Sequence, residues 1–576
     1  MTGTPITGTS GRSDYDLDRR LARTLCAAGP FTPARSAHAD RAEAFPQQSC
    51  DVLDGLGLSA GYVPVPYGGT WSDHERLLRQ VRAVAAKDMT VAVAHVKTFL
   101  GAAPVWISGD GTQAGRLADA VRAGRPVSWA LSEPDHGADL LAGEVTARPV
   151  PRGYRLDGVK WLINNATRST HVCVLARTGP ASGSRAHSLF LVDKSALAEE
   201  SYAYLPKFRT VGIRGADISG IAFHDAVLPV DALVGREGTG VETVLRALQL
   251  TRTVATGLSL GAAEHALRLA VRFAGERIIQ SRPLIERPNV RRTLTRCLAV
   301  LLASEAACTL AARGAHVLTG EMSVISATVK ASVPTWTDWV IKELAELLGA
   351  RSFLDSTYAD GMFQKLQRDH QIVGIFDGST VVNRAALIGQ FPRLARGYTE
   401  GREDTAALVL AASAGGGLPP LDTSRLVLSA PHGCSAVQAL PRVVAEEAAG
   451  VPAVARLGRC ADELHLRLAD VAPGPFPPMA AFELAEAYEA LFAAAACLHL
   501  WRAARHGDSG WWLALTLAEL LPRLTRSGST TDVGTPPGSG AEAEQAAMDW
   551  LIGTVAADAP LSLRHLLLTD DEGGRP

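Results

Sequence analysis

The stretch Trp129-Ala-Leu-Ser-Glu-Pro-Asp-His-Gly-Ala-Asp139 lies where the residue pattern of the chain changes from helical to extended. Before it, apolar residues recur every three or four positions, which predicts a helical N-terminal domain over residues 16–125. After it, short β-rich runs bounded by turn residues predict a compact β domain over residues 126–235. Residues 1–15 are rich in Thr, Gly and Ser, and we expect them to be mobile.

One segment of the predicted β domain carries a turn signal. In Gly153-Tyr-Arg-Leu-Asp-Gly-Val-Lys-Trp-Leu-Ile163, an Asp-Gly pair separates two β-rich runs. This pair favours the tight turn of a β-hairpin, because both residues tolerate positive φ angles. We therefore expect a hairpin turn at Asp157-Gly158.

The helical period returns after the β domain. Three long helical patterns cover about 241–278, 290–319 and 324–348, and the last stops at Gly349, a residue type that often ends helices. Three such helices are enough for a helical bundle, which we place over residues 236–395.

The C-terminal third of the chain differs in composition. The Gly/Pro-rich tract Ala414–Pro420 predicts a linker or long loop within residues 396–420. Ala/Leu-rich amphipathic segments then predict an appended helical domain over residues 421–576, interrupted by the polar tract Ser527–Gly540. We expect these helices to pack back onto the preceding body, because their apolar stripes need a partner.

Composition excludes several classes of protein. Of the 576 residues, 47% are hydrophobic and 20% charged, which indicates a packed multidomain protein. The net charge is −2 and no long block of like charge occurs, so nucleic acid is not an expected partner. The eight cysteines lack metal-ligand spacing, so we expect no metal site and a reducing, cytoplasmic location. No signal peptide or apolar run of membrane-spanning length stands out, so no membrane span is expected.

Gly257-Leu-Ser-Leu-Gly261 matches the G-x-S-x-G pattern of a hydrolase nucleophile. That chemistry needs a sharp strand-to-helix turn, whereas this segment lies inside a helical pattern. We therefore interpret its small residues as helix-packing positions.

Seven segments occur in a particular order across the helix–β–helix chain. They are Trp129–Asp139, Lys160-Trp-Leu-Ile-Asn-Asn165, Val211-Gly-Ile-Arg-Gly215, Phe223-His-Asp-Ala-Val-Leu-Pro229, Gly235–Gly240, Glu276-Arg277 and Gln367-Arg-Asp-His-Gln-Ile-Val-Gly-Ile-Phe-Asp-Gly-Ser379. This ordered set resembles the acyl-CoA dehydrogenase family of FAD flavoproteins, over about residues 20–395. The resemblance implies an α+β, mostly α fold: a helical N-terminal domain, a central β-barrel and a C-terminal four-helix bundle, with FAD held between barrel and bundle.

The resemblance also implies the binding residues. The FAD positions are Trp129, Leu131, Ser132, Leu162, Asn164, Arg277, Gln280 and Ser379, and the substrate positions are Ala138, Arg252 and Gly378. Asn164 would face the flavin N5 side, and Leu162 stands where the family has a flavin-shielding Trp. Arg277 matches an arginine that reaches the partner subunit's FAD, which implies a homo-oligomer. Similar family members with extra C-terminal helices often replace the usual tetramer contact with them, so the resemblance favours a dimer.

The implied reaction needs a base. Dehydrogenation of a saturated thioester removes an α-proton while a hydride leaves the β-carbon for the flavin. In most of the family that base is a Glu, and the matching residue here is Asp377. A second family position for the base aligns near Thr251, whose hydroxyl cannot serve. Asp377 is therefore the candidate catalytic residue.

The residues and the resemblance leave three functions open. The first is dehydrogenation of an acyl thioester carried on CoA or an acyl carrier protein, in specialised metabolism, with an electron-transfer flavoprotein or oxygen as acceptor. The second is a flavin oxidase or monooxygenase on the same scaffold, because nitroalkane oxidase resembles this family and has aspartate at the position matching Asp377. The third is a degenerate scaffold without catalysis.

Overall fold

The structure, a computed structural model, describes residues 10–179, 183–472, 474–504, 510–525 and 540–568. The chain divides into two compact units. Unit 1 comprises Met1–Ser72 and Arg79–Val244, and unit 2 comprises Asp73–Leu78 and Leu245–Pro576. A short N-terminal segment thus belongs with a unit otherwise formed by the C-terminal part of the chain.

Unit 1 begins with helices, as the sequence predicts. They are α1 (Ser10–Cys26), α2 (Pro33–Arg41), α3 (Gln47–Gly55), α4 (His74–Ala85, whose first residues belong to unit 2), α5 (Met89–Ser108) and α6 (Gly111–Arg122). Helix α5 begins where the Asp88 carboxylate accepts hydrogen bonds from the backbone N–H groups of Thr90 and Val91. Of the terminus expected to be mobile, residues 1–9 lie outside the described residues.

The β domain of unit 1 is one mixed sheet. Its strands are β1 (Val127–Ala130), β2 (Thr146–Val150), β3 (Gly153–Asn164), β4 (His171–Arg177), β5 (His187–Asp193), β6 (Tyr202–Leu205), β7 (Ile218–Pro229) and β8 (Leu233–Val234). Their order is β6-β7-β3-β2-β4-β5-β8, and β1 pairs in parallel with β4. The expected barrel is not closed, because the short edge strands β6 and β8 do not pair with each other in the described part of the chain.

The expected hairpin turn at Asp157-Gly158 is wrong. Both residues lie inside the continuous strand β3, where the pairing with β7 shifts register between Leu156 and Gly158. Gly158 has φ +124°, and a Cβ there would lie 2.9 Å from a methyl group of Val145. The Asp-Gly pair therefore forms a β-bulge, a second structure that exploits the conformational freedom of glycine.

Unit 2 is almost entirely helical. It contains α7 (Gly240–Glu276, whose first turn belongs to unit 1), the hairpin of β9 (Ile278–Ile279) and β10 (Arg282–Pro283), α8 (Pro288–Val317), α9 (Met322–Leu348), α10 (Met362–His370), α11 (Thr380–Ile388), α12 (Phe391–Glu400), α13 (Thr405–Ala412), α14 (Ser435–Gln438), α15 (Leu440–Glu447), α16 (Pro452–Ala469), α17 (Met479–Ala503), α18 (Trp511–Thr525), α19 (Ala541–Ala556) and α20 (Leu563–Leu568). Helices α7, α8 and α9 correspond to the three long patterns, and α9 ends before Gly349, which has φ +60°.

The segment expected to be a linker is structured. Residues 396–420 include the end of α12 and the whole of α13. The loop after α13 is held by α8: the Arg313 guanidinium donates to Gly416 O (3.0 Å), and His316 Nδ1 lies 2.8 Å from Pro419 O. Buried polar groups of α8 therefore fix a path that Gly and Pro content alone suggested to be a linker.

The C-terminal helices share a unit with the bundle. Helices α17 and α18 pack along α8, and Trp512 of α18 is fully buried. The segment after α19 is anchored by two buried carboxylates: Glu305 accepts from Leu563 N (2.8 Å) and Glu264 accepts from Leu561 N (3.1 Å). Residues 245–395 and the C-terminal helices therefore form one compact body.

Among the described residues, two helices have the length and composition of a membrane span, α5 and α8. Their most apolar windows are 89% and 94% buried inside the protein, respectively. All eight cysteines are free, and seven of them are buried.

Candidate active site

Asp377 lies in the loop that joins α10 to α11, residues 371–379, here called the base loop. Its φ is +55°, and that of the following Gly378 is +91°. A Cβ on Gly378 would lie 2.9 Å from Nη2 of Arg252, so this position requires glycine for both its φ and its contact. The Asp377 carboxylate is partly buried, with Oδ2 out of contact with solvent.

Two side chains bind the backbone around Asp377. Arg252, on α7 and only 7% exposed, donates from Nε to Asp377 O (3.1 Å). Asn383, fully buried on α11, donates from Nδ2 to Gly378 O (2.9 Å) and Ser379 O (3.0 Å). The carbonyls of three consecutive residues are therefore fixed by side chains from two helices.

A buried lysine provides a third support for the base loop. Lys330 of α9 is fully buried, and its Nζ donates to Val373 O (2.6 Å) and Gly378 O (3.3 Å). The same ammonium lies 5.2 Å from the centroid of the Phe376 ring. Such a cation is expensive to bury, so its hydrogen bonds tie the loop firmly to α9.

The electrostatic environment of the base loop is positive. Burial lowers the pKa of Arg252 to about 10, and the nearby Asp377 carboxylate opposes that shift. Arg252 therefore remains a cation at neutral pH. Next to it, Thr251 is fully buried, and its hydroxyl has no hydrogen-bond partner among the described residues.

Ser379, a predicted FAD position, has a structural task. It is the N-cap residue of α11, where its Oγ accepts from Val382 N (3.3 Å). This cap makes the base loop continuous with the first turn of α11. Its role toward FAD stays a prediction.

The serine of the G-x-S-x-G pattern meets a histidine and an aspartate. Ser259 Oγ lies 2.9 Å from His370 Nε2, and His370 Nδ1 lies 2.6 Å from Asp338 Oδ1. The order of contacts is that of a hydrolytic triad, but Ser259 lies inside α7 and, like His370, is fully buried. We therefore interpret these contacts as an anchor for the start of the base loop. Ser259 thus has a hydrogen-bonding role in addition to the helix packing that the sequence indicated.

Arg277 and Gln280 lie at the hairpin that follows α7. Arg277 is exposed, and its guanidinium has no hydrogen-bond or ion-pair partner among the described residues. Gln280, at φ +53° in the turn, accepts from Arg287 through Oε1 (2.9 Å). Arg277 is thus available for a ligand or partner, whereas the Gln280 side chain is bound to Arg287.

In unit 1, the predicted flavin-lining segment runs from β1 into the following loop. Lys160 of β3, 1% exposed, donates from Nζ to Leu131 O (2.9 Å) and to Glu133 Oε1 (2.7 Å). Ser132 Oγ donates to Trp161 O (3.2 Å). Burial opposes ionisation of Glu133, but the Lys160 ammonium together with the backbone N–H groups of Glu144 and Val145 outweighs this and lowers the pKa of that carboxyl. A buried ion pair therefore fixes the backbone of this segment.

Buried polar atoms without hydrogen-bond partners occur in the same part of unit 1, on β1 and at the end of β3. Trp129 Nε1 and both amide atoms of Asn164 are buried and have no hydrogen-bond partner within the described residues. Buried polar groups are almost always satisfied, so these atoms fit a bound polar ring such as a flavin. Leu162 sits at a β-bulge with φ +53° and is 46% exposed. Ala138 is exposed in the loop after β1.

The structure brings four predicted residues together in unit 2, namely Arg252, Asp377, Gly378 and Ser379. Sequence reasoning missed Lys330 and Asn383, which hold the same loop. The signal for Lys330 was available, because it is a single charge in the apolar stretch Val324–Val333. Asn383 gave no such signal, since its role depends on the loop geometry.

Comparison with known proteins identifies the class. Residues 128–226 match the model of the acyl-CoA dehydrogenase middle domain, and residues 238–390 match that of the acyl-CoA dehydrogenase C-terminal domain. A probable acyl-CoA dehydrogenase of Mycobacterium bovis is 25% identical over 391 residues, which cover 66% of this chain and 98% of the relative. The human mitochondrial short-chain specific acyl-CoA dehydrogenase is 26% identical over 364 residues, covering 62% and 85%.

A solved structure extends the likeness to the C-terminal helices. The acyl-CoA dehydrogenase of Bacillus anthracis, solved with FAD, superposes with a TM-score of 0.68 at 17% identity, covering 95% of this chain and 96% of that one. The two matched domain models place residues 128–226 and 238–390 of the chain in the acyl-CoA dehydrogenase family. The protein is an FAD-dependent oxidoreductase, and the unpartnered atoms of Trp129 and Asn164 fit that cofactor.

Proposed function

We propose that this protein introduces an α,β double bond into an acyl thioester, with Asp377 as the base for the α-proton. The relatives named above are acyl-CoA dehydrogenases. The observation that carries the proposal is the support of Asp377, whose loop is fixed by Arg252, Lys330 and Asn383. A carboxylate so precisely held suits a proton transfer, because such transfers need a fixed geometry.

The described residues have separable tasks in this reaction. The Asp377 carboxylate takes the α-proton, while Arg252 holds the backbone carbonyl of the same residue in place. When bound, FAD accepts the hydride that leaves the β-carbon. In unit 1, the Asn164 amide and Trp129 Nε1 provide hydrogen-bonding atoms for the flavin, and Leu162 provides an exposed apolar side chain.

The finer features of the proposal concern carrier, acceptor and assembly. The thioester is carried on CoA or an acyl carrier protein, and electrons leave to an electron-transfer flavoprotein or to oxygen. The exposed Arg277 supports a homodimer in which it binds the partner subunit's FAD. The free cysteines agree with a reducing cytoplasm. The side chain of Asp377 is shorter than that of the glutamate found in most of the family, and this difference agrees with a specialised substrate.

The test is anaerobic mixing of the FAD-loaded protein with acyl-CoA and acyl carrier protein thioesters of several chain lengths. We expect the flavin absorbance to bleach with at least one thioester, and Asp377→Asn to retain FAD but abolish bleaching. Asp360→Asn is the matched control, because Asp360 also precedes a glycine and has φ +55°, but is exposed outside the base loop. Bleaching of Asp377→Asn at the wild-type rate would refute the assignment.

A flavin oxidase is the second candidate, favoured by the aspartate at position 377. Reoxidation of the reduced protein by oxygen distinguishes the two functions. Rapid reoxidation without a carrier protein, together with bleaching by a nitroalkane and not by thioesters, would support the oxidase.

A further inference from the structure

The base loop continues directly into α11, so the position of Asp377 depends on that helix. Ser379 caps α11, and Asn383, one turn into it, binds the carbonyls of Gly378 and Ser379. A helix first turn stabilised in this way moves as one body with the loop attached to it. Whatever fixes α11 therefore also fixes the base.

The next residue of α11, Arg384, binds α17. This helix is one of α14–α20, which are here called the C-terminal extension. Its Nε donates to Glu489 Oε1 (2.7 Å) and its Nη2 to Glu489 Oε2 (3.1 Å), a two-pronged ion pair with α17. A third nitrogen, Nη1, donates to Glu486 of the same helix. The side chain of Glu489 is 1% exposed and that of Arg384 is 13% exposed, whereas that of Glu486 is 56% exposed.

This ion pair specifies position more than it adds stability. Removing two charges from water costs desolvation free energy, and the attraction between them often only offsets this cost. An apolar pair of similar volume would therefore give about the same stability. Burial raises the pKa of the Glu489 carboxyl, and Arg384 opposes that shift. What an apolar pair would not provide is the fixed orientation of a planar guanidinium against a carboxylate. The bidentate ion pair therefore fixes the rotation of α11 about its axis and its position along α17.

We propose that the C-terminal extension positions the catalytic base, with Glu489 and Arg384 as positioning residues that act on Asp377 through α11. This inference rests on the proposed role of Asp377. It assigns the extension a part in the reaction of the dehydrogenase body, beyond covering its apolar surface.

The test compares full-length, FAD-loaded variants. Glu489→Gln keeps the shape and removes the charge, and Arg384→Lys keeps the charge and removes the bidentate contact. Two control variants are also on α17. Glu486→Gln removes the exposed carboxylate, and Arg502→Gln breaks the ion pairs of α17 with Glu446 and Glu447 of α15, which do not involve α11. Flavin content and melting temperature verify that each variant folds.

We expect Glu489→Gln and Arg384→Lys to lower kcat by about tenfold to a hundredfold with KM changed less than about threefold, since a displacement of ~1 Å costs about a hundredfold. Both controls should stay within about twofold of wild type. Amide hydrogen exchange should accelerate in peptides covering residues 371–383 of Glu489→Gln and not in those of Arg502→Gln.

Unchanged exchange in residues 371–383 of Glu489→Gln would overturn the proposal, as would an equal loss of kcat in Arg502→Gln. Exchange is measured without substrate. It therefore tests positioning even if no thioester bleaches the flavin, an outcome that would count against the proposed function instead.

Discussion

Gly378→Ala tests the geometry of the base loop most directly. An alanine at φ +91° is strained, and its Cβ would lie 2.9 Å from Nη2 of Arg252. To relieve that contact, the guanidinium has to move, and we expect its hydrogen bond to Asp377 O to be lost. The matched control is Gly401→Ala, at φ +61°, where the nearest atom to the new Cβ is 3.8 Å away.

The difference in stability between the two variants can be estimated. The left-handed conformation alone costs an alanine ~1 kcal/mol, which both variants incur. Gly378→Ala also loses a hydrogen bond from a charged donor, about 1.5–3 kcal/mol. In a unit of this size, ~1 kcal/mol shifts the melting temperature by roughly 1–2 °C. We therefore expect Gly378→Ala to melt about 2–5 °C below Gly401→Ala.

The kinetic consequence is larger than the thermal one. Displacement of Asp377 by ~1 Å should slow flavin bleaching about a hundredfold, whereas Gly401→Ala should bleach at the wild-type rate. Differential scanning calorimetry and anaerobic stopped-flow absorbance measure the two effects. Equal melting temperatures for the two variants, with unchanged bleaching in both, would refute the geometry described for Gly378 and Arg252.

Three other predictions concern the base, the cofactor and the C-terminal helices. Asp377→Glu should lower the bleaching rate, because the extra methylene moves the carboxylate by ~1.5 Å in a loop fitted to aspartate; a faster rate, measured by stopped flow, would show that the pocket suits glutamate. Arg277→Ala should lower FAD occupancy in dilute solution at an unchanged melting temperature of the apoprotein, and full retention of FAD by absorbance would contradict the cofactor role. Burial lowers the pKa of His465 to about 4 from about 6.5, so the unfolded chain binds a proton below pH 6.5 that the folded chain does not. Stability should therefore fall as pH decreases from 6.5 toward 4, and less so in His465→Phe, as thermal melts in that range will show.

Patterns of many residues predicted the fold well. The positions of α7, α8 and α9 follow from apolar periodicity because a long helix repeats its burial signal every turn. The Asp-Gly pair misled because one glycine can make either a turn or a bulge, and only the partner strand decides. The open sheet was missed for the same reason, since closure depends on pairing between strands distant in sequence.

The candidate site divides in a similar way. Asp377, Arg252 and Gly378 were predicted from the resemblance to the family, and the structure places them side by side. Glu489 was not predicted, because its partner Arg384 lies 105 residues away and neither belongs to a motif. Side chains that support a reactive group through the backbone leave little trace in a single sequence.

The anchoring of the segment after α19 constrains how the chain acquires its structure during synthesis. Glu264 and Glu305 receive backbone donors from Leu561 and Leu563, and Glu75 receives the guanidinium of Arg564, 489 residues later. In a nascent chain, Glu264 and Glu305 are made before the donors at residues 561–563, while Arg268 and Arg313 are earlier partners for Glu264 and Glu75. Unit 2 therefore completes these contacts only after residues 561–564 have been synthesised, so α7 and α8 gain their last partners late.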